Sequence, residues 1–199
     1  MTDTTAPLYL EALQRFRDLL RQAEQTGLPE PAAMSLATVN AEGRPEVRTV
    51  LLKAADERGF VFYTNTLSRK GRALVARPYA SLCFFWQPLL AQVLVEGAVE
   101  QVSDAEADAY WATRPRASQI GAWASRQSEP LARREELEQQ VALYQRRFEG
   151  QPVPRPSYWS GYRVKPDLIE FWFSRPGRLH ERERYVAEAG EWRKLLLNP

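Results

Sequence analysis

Two cationic side chains follow a helix-capping serine in the segment "YTNTLSRKGRAL". Ser68 is a typical N-cap, and Arg69 and Lys70 then occupy the start of a short helix. Basic side chains are mildly unfavourable there, because the helix dipole favours negative charge at this end. Free backbone N–H groups, the dipole and both cations would together hold an anion. The segment therefore predicts a phosphate site, with two solvated surface charges as the alternative.

The strand-like segment "EVRTVLLK" adds Arg48 and Lys53. Side chains alternate between the two faces of a strand, so residues five apart face opposite sides. Either a bulge brings these cations to one ligand or they serve different ligands. A solvated charge at the strand end is the remaining interpretation for one of them.

A second cationic group is predicted around Arg114. Tyr110 and Arg114 are four residues apart and share a helix face, and Ser118 follows in "RPRASQIGAWASRQS", residues 114–128. This segment has too few apolar residues for a helix face or a strand, so it is predicted to be a long ordered loop. Such loops are usually functional. The group could form another anion site with an aromatic wall, or it could be a surface pair.

The only histidine, His180, lies in "RPGRLHERERY" among Arg178, Arg182 and Arg184. Neighbouring arginines disfavour the imidazolium, which predicts a neutral ring. Any Ser-His-Asp or Cys-His catalysis would have to use this residue. The sequence has no G-x-S-x-G, P-loop or G-x-G-x-x-G motif, so hydrolases of that type and nucleoside triphosphatases are excluded.

The composition restricts the class of protein. Its 27 basic and 25 acidic residues give a formal net charge of +2, so no global field attracts nucleic acid or membranes, and any anion site must be local. The sequence has no apolar run long enough to cross a membrane, and its first residues, "MTDTTAPLYLEALQRF", lack the features of a signal peptide. Both observations predict a cytoplasmic protein. Cys83, the single cysteine, excludes an internal disulfide, cannot form a zinc site with one histidine, and is predicted to be a buried, inert thiol.

Four helices are predicted from apolar residues at helical spacing and from typical end residues. They lie between about Tyr9 and Gly27, after Ser68, between the capping box of Ser103 and Glu106 and a stop near Arg114, and between a cap at Ser128 and Gly150. The last helix has one apolar stripe, formed by Leu137, Val141, Tyr144 and Phe148.

About nine short strands, without regular alternation with helices, are predicted to pair as antiparallel hairpins. The segments are "MSLATV", "EVRTVLLK", "FVFYTN", "ASLCFFW", "AQVLVEGAVEQV", "YWSGYRV", "DLIEFWF", "RYVAE" and "EWRKLLL", with turn residues such as "NAEGRP" and "ADERG" between the first of them. This pattern favours an α+β fold, in which a mostly antiparallel sheet closes into a barrel with helices packed outside. We expect one domain over residues 1–199, with an N-terminal helix region (1–28) and a barrel with inserted helices (29–199).

Five segments resemble, in order, the successive motifs of the pyridoxine/pyridoxamine 5'-phosphate oxidase family. They are "RTVLLK", "FYTNTLSRKGRAL", "RPRASQIGAWASRQS", "IEFW" and "RLHERERY", and they span residues 48–185. The resemblance implies an FMN-binding split β-barrel that forms a homodimer with FMN at the subunit interface. It also implies oxidation of pyridoxine or pyridoxamine 5'-phosphate to pyridoxal 5'-phosphate, with hydride passing from substrate C4' to flavin N5. O2 would then reoxidise the flavin and give H2O2.

The same resemblance implies a role for individual residues. FMN would be bound along the strand by Arg48, Thr49, Val50, Leu51, Leu52 and Lys53, and further by Tyr63, Thr64, Arg69, Lys70, Gln92, Gln127 and Ser128, with Trp172 and Arg182 supplied by the partner subunit. Arg48 would be directed to the FMN phosphate. The substrate phosphate would be held by Lys53, Tyr110, Arg114 and Ser118. Arg178 and His180 would contact the substrate ring and are the predicted catalytic residues.

Both ends of the chain differ from the family pattern. About eight residues precede the first helix, where many relatives have a longer segment that folds over the substrate, so closure of the site is left open. Leu196 stands where the family has an arginine.

Three other functions are compatible with parts of the sequence. A related flavin oxidase of the phenazine pathway would share the FMN motifs, although the retained Arg114 and Ser118 argue against it. A non-catalytic split-barrel protein would bind flavin or pyridoxal phosphate without turnover. A nucleic-acid-binding barrel would use exposed aromatic rings, but here the aromatic residues lie in apolar strand segments, where core packing is favoured.

Overall fold

The computed structural model describes residues 6–199, and in that range it has five α-helices and nine strands. The helices are α1 (Pro7–Glu24), α2 (Arg69–Ala76), α3 (Asp104–Thr113), α4 (Arg116–Ala124) and α5 (Arg134–Arg147). The strands are β1 (Ala33–Val39), β2 (Pro45–Leu51), β3 (Ala54–Asp56), β4 (Gly59–Asn65), β5 (Tyr79–Trp86), β6 (Ala91–Gln101), β7 (Trp159–Phe173), β8 (Glu181–Glu188) and β9 (Glu191–Leu197). Residues 1–5, which belong to the segment considered for closure of the site, lie outside the described residues. Within the described residues, no helix is both long and apolar enough to cross a membrane.

All nine strands form one antiparallel sheet, in the order β2-β1-β5-β6-β7-β4-β3, with β8 and β9 branching from β7. The segment just after β2 links the two ends of this strand order. The backbone N–H of Leu52 donates to the carbonyl oxygen of Ala32, next to β1 (2.9 Å), and the N–H of Lys53 donates to that of Val61 in β4 (2.8 Å). The sheet therefore curls into a barrel, and the predicted α+β, mostly antiparallel fold is confirmed.

The segments "YWSGYRV" and "DLIEFWF" form the single strand β7, whereas the sequence predicted two strands. Its first part pairs with β4 as far as Val164, and its second part pairs with β8 from Leu168. Pro166 lies in the gap between these two neighbours, so its missing N–H interrupts neither ladder. The sheet splits at this point.

The core lies between α1 and the inner face of the sheet. The Phe16 ring of α1 is fully buried and meets Phe60 and Phe84 edge to face, with ring centroids 4.8 and 4.9 Å apart. Along β5, burial alternates as strand geometry requires. Cys83 lies on the face of β5 opposite to Phe84. The sequence predicted a buried thiol, but the side chain is only half-buried. This partial burial still raises the pKa of the thiol.

The polar segment 114–128 is not a long loop, because most of it forms α4. A narrow apolar stripe suffices for this helix: Ile120 and Ala124, four residues apart, are buried, and Ile120 packs in a cluster with Trp111 and Phe148. The next helix, α5, begins at Arg134, so the predicted cap at Ser128 is wrong. Ser128 has a φ of 74°, outside the extended conformation typical of an N-cap.

Gly97 offers a direct test of the sheet register. The β6–β7 register shifts between Glu96 and Gly97, and a Cβ at Gly97 would lie 1.9 Å from the carbonyl oxygen of Lys165. Gly97→Ala is therefore expected to lower the free energy of unfolding by about 2–4 kcal/mol, measured by chemical denaturation. Gly121→Ala is the control, because a Cβ there meets nothing within 4 Å in α4, and we expect it to raise stability by up to about 1 kcal/mol. Equal stability of the two variants would contradict the register shift.

Candidate functional site

A cavity of about 850 Å³ opens between β2, β4, the start of α2 and the region where α3 meets α4. Most of the residues predicted to bind cofactor or substrate line it. They are Arg48, Thr49, Val50, Leu51, Lys53, Tyr63, Thr64, Arg69, Lys70, Tyr110, Arg114, Ser118, Gln127 and Ser128. The structure thus brings together side chains that are up to 80 positions apart in the sequence.

The end of β2 explains how Arg48 and Lys53 reach the same cavity. The strand stops at Leu51, so alternation no longer applies at Lys53, and both cations line the cavity without a bulge. The Arg48 guanidinium donates hydrogen bonds to Thr38 Oγ1 (2.7 Å) and to the carbonyl oxygen of Leu36 (3.2 Å), both on the neighbouring strand β1. The Leu52 side chain differs from the prediction, since it is buried in the core and does not line the cavity.

Lys70 is a buried cation at the start of α2. Its side chain donates to Thr64 Oγ1 (3.2 Å), Gln127 Oε1 (3.1 Å) and Ser68 Oγ (3.4 Å), all of them neutral groups. Burial lowers its pKa, and the nearby charge of Arg48 lowers it further. Within residues 6–199 it forms no ion pair, and an uncompensated buried charge is costly. A bound anion would supply the missing negative charge, so this position fits a phosphate group.

The start of α2 has the predicted capped geometry. Ser68 is the N-cap, and its Oγ accepts from the backbone N–H of Gly71 (3.4 Å). A Cβ at Gly71 would lie 2.0 Å from Thr66 O, so this close turn requires glycine. The backbone N–H of Arg69 donates to Ser128 Oγ (3.2 Å), which fixes the segment after α4 over the helix start.

Arg114 lies against an aromatic stack at the other cationic group. The rings of Tyr63 and Tyr110 stack with centroids 4.0 Å apart, and Tyr63 also stacks on Trp159 (5.3 Å). The Arg114 guanidinium carbon lies 4.6 Å from the Trp159 ring centre. One of its terminal nitrogens donates to Ser118 O (3.1 Å), but its Nε is buried without a hydrogen-bond partner among the described residues. Burial lowers the pKa of Arg114. The same side chain lines the cavity, where an anion would supply the opposite charge.

The remaining predicted residues do not line the cavity of their own chain. Gln92, Trp172 and Arg182 are cross-strand neighbours on β6, β7 and β8, and the His180 ring lies 4.6 Å from that of Trp172. Arg178 belongs to the turn before His180. His180 therefore lies beside Trp172, and Arg178 is two residues before it in the chain; the role of Trp172 and Arg182 in a partner's site stays a prediction.

His180 and Arg182 are each held in place by a nearby group. The His180 Nδ1 accepts from the backbone N–H of Arg175 (3.2 Å), so that nitrogen carries no proton. Glu170, only 2% exposed, accepts from Arg182 Nε (2.8 Å) with one oxygen and from Arg184 (2.8 Å) with the other. Glu170 was not predicted to have a role, although its position as a carboxylate in the apolar segment "IEFW" was a signal for it.

Two further residues at the cavity were also missed. Glu46 lines the cavity, and its carboxylate accepts from both Arg48 (3.0 Å) and Arg69 (2.6 Å). Its position two residues before Arg48 on one strand was a usable signal, because such residues share a face. The Trp159 ring packs against Tyr63 and Arg114. From the sequence it was predicted to be an ordinary core residue.

Two family models together match most of the chain. Residues 20–147 match the model described as pyridoxamine 5'-phosphate oxidase, and residues 159–199 match the pyridoxine 5'-phosphate oxidase C-terminal dimerisation region. A protein of Myxococcus xanthus (strain DK1622) named pyridoxine/pyridoxamine 5'-phosphate oxidase is 58% identical over 189 residues, 95% of this chain and 92% of that protein. One of the same name from Xanthomonas euvesicatoria pv. vesicatoria (strain 85-10) is 52% identical over 203 residues and covers both chains fully.

Solved structures agree with this fold. PhzG from Burkholderia lata 383, in complex with tetrahydrophenazine-1-carboxylic acid, superposes with a TM-score of 0.89 at 31% identity, covering 100% of this chain and 95% of that one. A pyridoxamine 5'-phosphate oxidase-related, FMN-binding protein of Nostoc punctiforme PCC 73102 has a TM-score of 0.68 at 21% identity, covers 96% and 94% of the two chains, and supports the split-barrel fold alone. From its sequence matches over nearly its whole length, this chain belongs to the pyridoxamine 5'-phosphate oxidase family.

Proposed function

We propose that this protein is an FMN-dependent oxidase that converts pyridoxine 5'-phosphate or pyridoxamine 5'-phosphate to pyridoxal 5'-phosphate, with O2 as acceptor and H2O2 as product. The observation that carries the proposal is that one cavity holds two cationic groups on different elements. The first consists of Arg48, Arg69 and Lys70, and the second of Lys53 and Arg114. A phosphorylated cofactor and a phosphorylated substrate require two such groups. Relatives with this activity in their names support the assignment.

The first cationic group would hold the phosphate of FMN. Lys70 would gain the counter-charge that its neutral neighbours do not provide, and the start of α2 would add the positive end of its helix dipole. Thr64, Gln127 and Ser128 place further polar atoms around the same point. When bound, FMN would supply the hydride acceptor and the route by which electrons reach O2.

The second cationic group would hold and orient the substrate by its phosphate. Arg114 and Lys53 would supply positive charge to the cavity, and the Tyr110 ring forms its wall. Ser118, on the first turns of α4, adds a hydroxyl. Holding the phosphate at a fixed place limits the positions of the substrate ring, and such orientation can account for a large part of a rate enhancement.

We further propose that the site is completed by a partner subunit in a homodimer. Trp172, His180 and Arg182 are neighbours outside the cavity of their own chain, and Arg178 lies in the turn just before His180. All four belong to the region that matches the family's dimerisation model. In the dimer, Arg178 and His180 would lie over the substrate ring and turn its C4' carbon toward the flavin. Glu170 would keep Arg182 extended toward the partner's cofactor. The cytoplasmic location and the single-domain organisation stay predictions from the sequence.

Arg114→Ala tests the substrate-phosphate assignment. A charge-assisted contact of this kind contributes about 1.5–3 kcal/mol, so KM for pyridoxine 5'-phosphate is expected to rise about 10- to 150-fold with the FMN content unchanged. Oxygen consumption and the visible spectrum measure the two quantities. Arg126→Ala is the matched control, because Arg126 is an exposed residue just after α4 that does not line the cavity. Loss of flavin from the Arg114 variant would show instead that this arginine serves the cofactor phosphate.

A related flavin oxidase with a different substrate is the second candidate, favoured by the close superposition with PhzG. Such a protein would bind FMN through the first cationic group and would have no need of the second. Arg114, Lys53 and Ser118 all line the cavity here, which favours a phosphorylated substrate. Turnover of pyridoxine 5'-phosphate but not of unphosphorylated pyridoxine would separate the two candidates.

A further inference from the structure

Glu46 is a carboxylate placed inside the cationic group that we assign to the cofactor phosphate. We propose, on the basis of the proposed function, that Glu46 is a built-in competitor of the FMN phosphate: its carboxylate pairs with Arg48 and Arg69 in the free protein and weakens FMN binding by opposing the phosphate charge. Glu46 would thereby set how tightly this chain retains its cofactor.

The geometry of Glu46 places it against the phosphate-binding side chains. Its Oε1 accepts from Arg69 (2.6 Å) and its Oε2 accepts from Arg48 (3.0 Å), so each oxygen engages one arginine. Asn40 donates to Oε1 as well (3.3 Å). The two arginines come from β2 and α2, and Glu46 is the group that joins them across the cavity wall. Any phosphate that uses the same N–H groups must displace these contacts.

The burial of Glu46 distinguishes it from an ordinary surface pair. Its side chain is 10% exposed, whereas that of its partner Arg69 is 65% exposed. The hydrogen bond from Arg69 holds the pKa of Glu46 below its usual value, so the carboxylate stays charged at neutral pH. Exposed pairs contribute little to stability, but a desolvated carboxylate beside a ligand phosphate exerts a less screened repulsion.

The charges of the site are consistent with such tuning. Lys70 has only neutral partners, while Arg48 and Arg69 share the one carboxylate. With Glu46 ionised, the three cations retain an excess positive charge that matches a phosphate dianion. Removal of the carboxylate would leave the site more positive than the phosphate is negative, which favours tighter binding.

The test is a titration of the full-length chain, stripped of flavin, with FMN and with riboflavin, which lacks the phosphate. Quenching of flavin fluorescence reports binding of either. Glu46→Gln removes the charge but keeps an acceptor oxygen, and Glu46→Ala serves as a second variant in case the amide alters folding. Glu42→Gln is the matched control, because Glu42 lies in the turn of the same hairpin, is exposed, and makes the same change of charge without pairing to either arginine.

We expect Glu46→Gln and Glu46→Ala to lower the Kd for FMN about five- to tenfold, while the Kd for riboflavin and both values in Glu42→Gln change less than about twofold. The rise in Tm on adding FMN should be larger in the Glu46 variants, because a tighter ligand stabilises the folded protein more. An unchanged or weaker FMN affinity would overturn the proposal, as would equal tightening of riboflavin. Absence of FMN binding to the unaltered chain would instead overturn the proposed function on which the proposal rests.

Discussion

Replacement of Arg178 by alanine is expected to lower kcat at saturating substrate by about 100-fold or more, while FMN remains bound. Arg178 would hold the substrate ring in the reactive orientation, and misplacement of a reacting group by about 1 Å can cost this much in rate. The cavity residues that we propose to bind FMN lie on other elements, so the flavin content should not change. Stopped-flow reduction of the bound flavin, together with steady-state turnover, measures the effect.

The local structure of Arg178 supports a role beyond the fold. It has a φ of 61°, which is uncommon for a residue other than glycine, and among the described residues it forms neither an ion pair nor a side-chain hydrogen bond. Arg175, in the same turn, pairs with Glu181 at 2.7 Å and is the matched control. Arg175→Ala should keep turnover within about threefold of the unaltered protein, as most surface changes do. Normal kcat in Arg178→Ala would show that its assigned role is wrong.

Arg178 also provides a test of the shared site in the dimer. Co-expression of Arg178→Ala with a variant defective in the cavity, Lys70→Met, would produce mixed dimers in which one of two sites has both residues intact. If subunits mix at random, the pooled protein should recover about a quarter of the normal activity. No recovery would mean that both residues serve the same subunit's site.

The second large effect is expected for Lys70→Met, which should raise the Kd for FMN about 10- to 150-fold. The side chain of methionine is similar in length but has no charge, so the phosphate would lose the buried cation that faces it. Unlike an ordinary core substitution, this change should leave the flavin-free protein at least as stable as before, because it removes an uncompensated buried charge. Fluorescence titration and thermal melting measure the two quantities.

Arg72→Met is the control for Lys70→Met. Arg72 lies two residues further along α2, is exposed, and donates to the backbone of Leu67 without lining the cavity. It should leave FMN affinity within about twofold. A Lys70 variant that binds FMN normally would place the cofactor phosphate elsewhere, whereas a variant that loses both FMN and stability would show that Lys70 is mainly structural.

Much of the fold follows from local sequence signals. Alternating apolar residues placed the strands of the barrel, and the capping box of Ser103 and Glu106 marked the start of α3 as the structure has it. Helix α4 escaped detection because its few buried residues, among them Ile120, are separated by polar side chains that face the cavity and solvent. The continuity of β7 across Pro166 could not be predicted either, since it depends on where two neighbouring strands end.

The cationic residues of the candidate site could be predicted from the sequence, whereas its carboxylates could not. The cations that line the cavity were found from spacing and from the resemblance, but the sequence could not show that the segment after β2 turns so that Arg48 and Lys53 face one space. The carboxylates Glu46 and Glu170 were missed because acidic residues are common on strands, and only the folded chain shows which of them are buried against arginines. The roles of Glu46 and Glu170 depend on arginines such as Arg69 and Arg182, which are distant from them in the sequence.

The most direct test of the proposed function is the visible spectrum of the purified protein before and after anaerobic addition of pyridoxine 5'-phosphate. We predict a flavin spectrum that bleaches on addition of the substrate and returns when air is admitted. A flavin that does not bleach would contradict the substrate assignment and favour a relative with another reductant. Failure to bind FMN, even after reconstitution, would contradict the assignment of the cavity as a flavin site.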